Sequence, residues 1–216
     1  MFSRSKGVLE GKDLERAFAW LRPNDLIWAY WVNNYLCGND APAFDILYWN
    51  ADTTNLPAKF HRDLINLLGR GGFGEGPAWE VDGTEIDLKN VTCDTYIVGG
   101  ETDHITPWDG CYLTTGLLGG KTEFVLSQAG HIQSLINPPG NPRAKFMTND
   151  GTHTTTEEFL AGAEQNAGSW WPHWMAWTEK RSGKMIKAPK KLGSTKYKPL
   201  GAAPGIYVSE TPGKAA

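Results

Sequence analysis

The chain has 216 residues, 40% of them hydrophobic and 21% charged, with a formal net charge of −3; this is enough apolar chain for one real core and excludes wholesale disorder. The acidic balance argues against a nucleic-acid partner, because the basic residues that could neutralise phosphates are gathered in one tail with few interleaved aromatics. No run approaches the ~18 consecutive apolar residues of a membrane span, and residues 1–10 lack the apolar stretch of a signal peptide, so a soluble cytoplasmic protein is expected. Cys37, Cys93 and Cys111 are an odd set without CxxC spacing, which suggests neither a disulfide framework nor a zinc ribbon.

Residues 13–37 hold a helical period. Leu14, Phe18 and Leu21 recur at spacings of four and three; then, after Pro23 and a cap at Asn24, come Leu26, Ile27, Tyr30, Trp31 and Tyr35. Residues 39–55 mix turn formers with the apolar run Phe44-Asp45-Ile46-Leu47-Tyr48-Trp49, and residues 61–68 form a second amphipathic stretch. The aromatic residues Trp28, Tyr30, Trp31, Phe44, Tyr48 and Trp49 exceed what a small helical layer buries alone, so part of this surface should meet other protein. Residues 69–77, rich in glycine, are a loop. Their formal GxGxxG is no dinucleotide fingerprint, since that motif works only where it leaves a strand and opens a helix, and here a helix precedes it.

From residue 91 the grammar becomes βαβ, with a strand over 91–98, a helix over 107–118 opened by a proline in its first turn, and a strand over 122–126. A long helix is predicted over 156–177. It begins at a Thr cap and carries Glu157 and Glu158 in its first turn, where carboxylates favour the helix dipole. Trp170, Trp171, Trp174 and Trp177 fall along one side of it, to pack on the core or to meet another apolar surface. Residues 180–198 hold eight basic residues and no acidic one, which suits a solvated tail or attraction to an anionic surface.

Two segments carry chemistry: residues 97–108, containing Asp103, and residues 127–132, containing His131. Each follows a predicted strand, and in a doubly wound sheet the carboxyl ends of the strands converge on the ligand crevice. Singly, Asp103 fits an Asx-turn or helix cap and His131 a satisfied loop histidine. Together, acid before histidine at matched strand ends, they form the second half of an α/β-hydrolase triad. The other histidines, His61, His104, His153 and His173, show no metal-site spacing, so neither metal nor cofactor is expected.

Asp103-His104-Ile105-Thr106-Pro107-Trp108, Gly130-His131-Ile132 and Ile136-Asn137-Pro138-Pro139 resemble the corresponding motifs of polyhydroxyalkanoate synthases. The likeness runs along most of the chain, through Leu21-Arg22-Pro23-Asn24-Asp25-Leu26, Asn33-Asn34-Tyr35-Leu36, Thr54-Asn55-Leu56-Pro57, Gly168-Ser169-Trp170-Trp171 and Ala203-Pro204-Gly205-Ile206-Tyr207-Val208. The type resembled is class I, long single-subunit enzymes that prefer short-chain monomers.

The resemblance implies an acyltransferase that polymerises (R)-3-hydroxyacyl-CoA, releases coenzyme A and holds the growing polyester chain on an active-site cysteine. His131 would be the general base for that thiol. Asp103 would orient the imidazole or help deprotonate the 3-hydroxyl of the incoming unit. A homodimer through the cap and association with polyester granules in the cytoplasm are implied as partners and location. The implied fold is α/β, the C-terminal part of an α/β-hydrolase fold with a helical cap segment: residues 1–85 as cap, 86–180 as core, and 181–216 as a basic, Pro/Gly-rich tail.

The family's Gly-x-Cys-x-Gly elbow is absent from these 216 residues, as is Gly-x-Ser-x-Gly. Cys37 precedes a single glycine, Cys93 is expected inside a strand and Cys111 inside a helix. The expectation is therefore of a partial chain whose Met1 is an internal methionine, supplying Asp and His without the nucleophile and inactive alone. Two rivals stand beside it: a non-catalytic granule- or synthase-associated protein, and an ester hydrolase with a nucleophile outside the usual elbow.

Overall fold

The computed structural model describes residues 2–21, 23–41, 53–73, 79–151, 153–203 and 205. The chain divides into two compact units, Met1–Ser169 and Trp170–Ala216.

The first unit opens with α1 (Phe2–Lys6), β1 (Val8–Leu9) and α2 (Gly11–Leu21). After an intervening stretch come β2 (Leu56–Pro57), antiparallel to β1, and α3 (Ala58–Gly69). Ser3 Oγ lies 3.0 Å from His61 Nδ1, joining α1 to α3, and the Gly11 amide donates to Asn55 Oδ1 at 2.9 Å. Asn24 does not cap a new helix. Pro23 stays in the right-handed helical region at φ −64°, ψ −31°, a geometry its ring favours, and the chain winds on as two π-helical turns, Asn24–Trp28 and Trp31–Leu36. Phe44, Tyr48 and Trp49 lie outside the described residues.

A short hairpin follows, β3 (Trp79–Val81) with β4 (Thr84–Ile86). Asp82 at φ 48° and Gly83 at φ 79° supply the two left-handed residues of a primed turn, the twist that matches flanking strands.

The part that positions the site is a four-stranded mixed sheet of order β5-β6-β7-β8: β5 (Thr95–Gly100), β6 (Thr122–Ser127), β7 (Lys145–Thr148) and β8 (Glu164–Ala167). β5 and β6 run parallel and are joined through α4 (Trp108–Leu117); β6–β7 and β7–β8 are antiparallel. The βαβ reading holds, with the first strand starting later than expected, so Cys93 precedes it and is exposed.

The helix expected over 156–177 does not form. α5 (Thr156–Ala161) opens at Thr155, whose hydroxyl accepts from the Glu158 amide, and closes after one and a half turns at Gly162. The chain then returns as β8, and Gly168, at φ +90°, breaks it again. Glycine is a poor helix interior residue, and two within seven positions outweigh the apolar period. Tyr112, Phe124, Leu126 and Phe159 form the buried core between α4, α5 and the sheet, with Trp108 and Ile97 packed on it. Phe124 and Phe159 meet edge to face at 5.2 Å, and Tyr112 and Phe124 at 4.9 Å.

In the second unit, α6 (Trp171–Glu179) tolerates Pro172 because it stands in the first turn. Trp170 and Trp174 pack edge to face at 6.3 Å, and the Arg181 guanidinium lies 4.0 Å over the Trp177 ring. Among the described residues no helix is long and apolar enough to cross a membrane.

Candidate active site

β5 and β6 end level, Gly100 opposite Ser127. Beyond them the ladder continues into the loops: the Glu101 amide donates to Ser127 O at 2.9 Å and the Thr102 amide to Ala129 O at 3.3 Å. The two loops are thereby stitched together. Asp103 stands three residues past β5 and His131 four past β6, and His131 Nδ1 lies 2.8 Å from Asp103 Oδ2 and 3.1 Å from Oδ1. The residues expected to converge at neighbouring strand ends do so.

The Asx-turn reading of Asp103 is also realised; the helix-cap reading is not, since α4 is capped at Pro107 without a side-chain bond. Its Oδ1 accepts the amides of Ile105 and Thr106, each at 2.9 Å, closing an Asx-type turn, and its Oδ2 accepts the Thr106 hydroxyl at 2.8 Å. The side chain is only 5% exposed, whereas that of His131 is 40% exposed. Burial alone would push the Asp103 carboxyl up. The donors from Thr106, His131 and Ile105 outweigh it and hold the group well below the usual carboxylate range. Facing an ionised partner, Nδ1 carries the ring proton and donates it, which leaves Nε2 as the lone-pair nitrogen for a reacting group.

The loop bearing His131 is braced from below. The Ser134 amide donates to Gly130 O at 2.8 Å and its hydroxyl to the His131 carbonyl at 3.3 Å. Ser134 is buried against the end of β5, where a Cβ on Gly100 would stand 3.0 Å from Ala129 O, Ser134 Cβ and Ser134 Oγ. Thr106 and Ser134 escaped the sequence reading. An Asp-x-x-Thr spacing was the available signal for the first; Ser134 had none, since its contacts are to backbone and to a residue on another strand.

Cys111, on α4, is not an activated thiol. Burial pushes its pKa up, and the charges of Asp103 and Asp109 push it further, so it stays protonated with Sγ 3.8 Å from Thr106 O. Cys37 and Cys93 are exposed. Among the described residues no group of three His, Cys, Asp or Glu could hold a metal ion. A small cleft of about 60 Å³, lined by Tyr112, Thr122, Asn149, His153 and Phe159, includes neither Asp103 nor His131.

An acid and a histidine joined across neighbouring parallel strand ends have the arrangement of the acid–histidine part of a hydrolase-type site. The family model described as alpha/beta hydrolase fold matches residues 2–138, which include both side chains, and the chain belongs to that family. Over 96% of its length it is 53% identical to "Poly(3-hydroxyalkanoate) polymerase 1" of Ectopseudomonas oleovorans, covering 37% of that protein. It is 52% identical over 95% of its length to polymerase 2 of the same organism, again 37% of the relative. To "Poly(3-hydroxyalkanoate) polymerase subunit PhaC" of Cupriavidus necator it is 42% identical over 93% of its length, 34% of the relative. The chain thus spans little more than a third of the length of the curated relatives it matches.

Proposed function

We propose that this chain carries the aspartate and histidine of a polyhydroxyalkanoate synthase, an acyltransferase that polymerises (R)-3-hydroxyacyl-CoA into polyester and releases coenzyme A. The observation that carries the reading is the 2.8 Å Asp103–His131 pair at the ends of neighbouring parallel strands, in a chain 53% identical to a polymerase of that name. His131 Nε2 takes the proton of a cysteine thiol; the thiolate attacks the acyl-CoA thioester, and the coenzyme A sulfur leaves with that proton. Asp103 holds the ring in the tautomer that makes this possible and offsets the imidazolium charge. None of Cys37, Cys93 and Cys111 stands in a Gly-x-Cys-x-Gly turn, so in this reading the nucleophile comes from outside these 216 residues.

Residues 1–85 serve as a helical cap over the site, residues 86–180 as core and residues 181–216 as a basic tail. The exposed aromatic side chains of α2 and the π-helical turns suit a homodimer contact through the cap. The protein works in the cytoplasm at the surface of polyester granules.

The experiment compares coenzyme A release from (R)-3-hydroxyacyl-CoA of short and longer acyl chains by the 216-residue chain and by a chimera. The chimera joins the chain to the portion of the Ectopseudomonas oleovorans polymerase that it does not cover, in which the family pattern places the Gly-x-Cys-x-Gly turn. The chain alone should release none, and the chimera should turn over in a His131-dependent way. Robust release by the chain alone, abolished by replacing one of its own cysteines, would overturn the reading.

A further inference from the structure

We propose that Thr106 is a positioning residue: by holding both oxygens of Asp103, it confines that carboxylate to orienting His131 and leaves the imidazole as base for both proton transfers of chain growth. The inference rests on the acyl-transfer reading above and deepens it, by choosing between the two roles open to Asp103.

A carboxylate offers about four lone-pair sites, and those of Asp103 are taken. Oδ1 accepts from the Ile105 and Thr106 amides, Oδ2 from the Thr106 hydroxyl and from His131 Nδ1. A general base needs a free lone pair within hydrogen-bond reach of the proton it removes. With its side chain 5% exposed, Asp103 has neither the lone pair nor the open face to meet a substrate hydroxyl. His131, with its Nδ1 engaged and its side chain 40% exposed, has both.

Two of the four bonds come from Thr106. Residue i+3 of the turn folds back so that its amide reaches Oδ1 while its hydroxyl reaches Oδ2, and Pro107 biases Thr106 toward an extended backbone. Without the hydroxyl, Oδ2 would be held by His131 alone, the carboxylate would be less firmly set, and one lone pair would be released. The ring facing it would lose its fixed direction.

The chain-growth step then balances on one nitrogen. The proton of the incoming 3-hydroxyl moves to His131 Nε2, the oxygen attacks the thioester carbonyl carbon, the C–O bond forms and the C–S bond breaks. The departing sulfur takes the proton back. Besides His131, Cys111 on α4 feels the charge of the carboxylate, and the exposed His104 follows it in the chain.

The test uses Thr106→Val, which keeps shape and amide but removes the hydroxyl, Thr106→Ala as a second hydroxyl-free variant, and Thr106→Ser, which keeps the hydroxyl. Two readouts are taken: the pH titration of the Asp103 carboxyl carbon by NMR in the resting chain, and kcat and KM for coenzyme A release in the chimera. The hydroxyl-free variants should titrate Asp103 at higher pH than the parent. They should also lose about tenfold in kcat, the size of one hydrogen bond to a charged group, with KM unchanged; Thr106→Ser should match the parent in both. An unmoved Asp103 titration in either folded hydroxyl-free variant, or equal losses in the Ser and Val variants, would overturn the proposal. The titration needs no turnover. A shifted titration in a chimera without His131-dependent activity therefore condemns the synthase reading and spares the role of Thr106, whereas full activity with an unshifted titration does the reverse.

Discussion

A carboxylate that accepts four hydrogen bonds while nearly excluded from water is a fixed charge rather than a titrating group. Asp103 is held well below the ordinary range, so its ionisation links to folding in a defined direction. The unfolded chain protonates Asp at about pH 3.9, and the folded one only at lower pH. The stability that the carboxylate contributes is fully present above that value and is lost as pH falls below it toward the depressed folded pKa. Urea midpoints measured from pH 7 down to pH 3 should show the parent's advantage over Asp103→Asn constant near neutrality and shrinking below about pH 4; an advantage that grows on acidification would contradict the hydrogen-bond assignment. At the same scale, His131→Gln in the chimera should lower turnover by about 10² to 10⁴, the usual worth of a positioned proton-transfer group. Substrate binding should change little, and steady-state kinetics with matched KM values checks this.

At the scale of elements, the site depends on two loops held by strands and on the helices that pin those strands. Phe159, 1% exposed, is the contribution of α5 to the aromatic core under α4. Phe159→Ala should cost about 3 to 5 kcal/mol by chemical denaturation, while Leu113→Ala on the exposed side of α4 should cost little. Gly100 ends β5 so close to the His131 loop that a methyl group has no room without moving Ser134 or the Ala129 carbonyl. Gly100→Ala should therefore destabilise by about 1 to 3 kcal/mol through overpacking. It should also perturb the His131–Asp103 contact, seen as displaced ring-proton resonances of His131. Unchanged resonances would mean that the loop yields without carrying the histidine along.

For the whole molecule, two surfaces call for other protein. Trp20, Leu21, Trp28, Trp31, Tyr35 and Leu36 are all exposed on α2 and the π-helical turns, and among the described residues β5 pairs on one side alone, with β6. An apolar surface of this kind and an open strand edge both promote association. The 216-residue chain by itself should sediment as assemblies larger than a monomer, and Trp31→Gln with Leu36→Gln should shift it toward smaller species. In the chimera the same double change should separate a dimer without lowering the α4–β6 core stability, as read by sedimentation and urea melts. A purely monomeric parent chain would remove the cap from consideration as an interface.

The sequence by itself determined the parts whose information is local. The apolar period of α2, the proline that opens α4, the Thr155 cap, and the alternation of strand and helix that delivers Asp103 and His131 to neighbouring strand ends can all be read from consecutive residues. Chain order alone made an acid–histidine pair the expected outcome. Tertiary structure decided what depends on contacts between distant segments. The expected long helix gave way to α5, β8 and α6, because a strand edge on β7 and the freedom of Gly162 and Gly168 together outweighed a helical period; the winding through Pro23 as π-helical turns was likewise invisible. Burial of Asp103 and its contact with His131 lie beyond sequence pattern for the same reason. Contacts between side chains that follow different strands leave no periodic trace, yet they decide whether a carboxylate acts as a base or as the fixed partner of one.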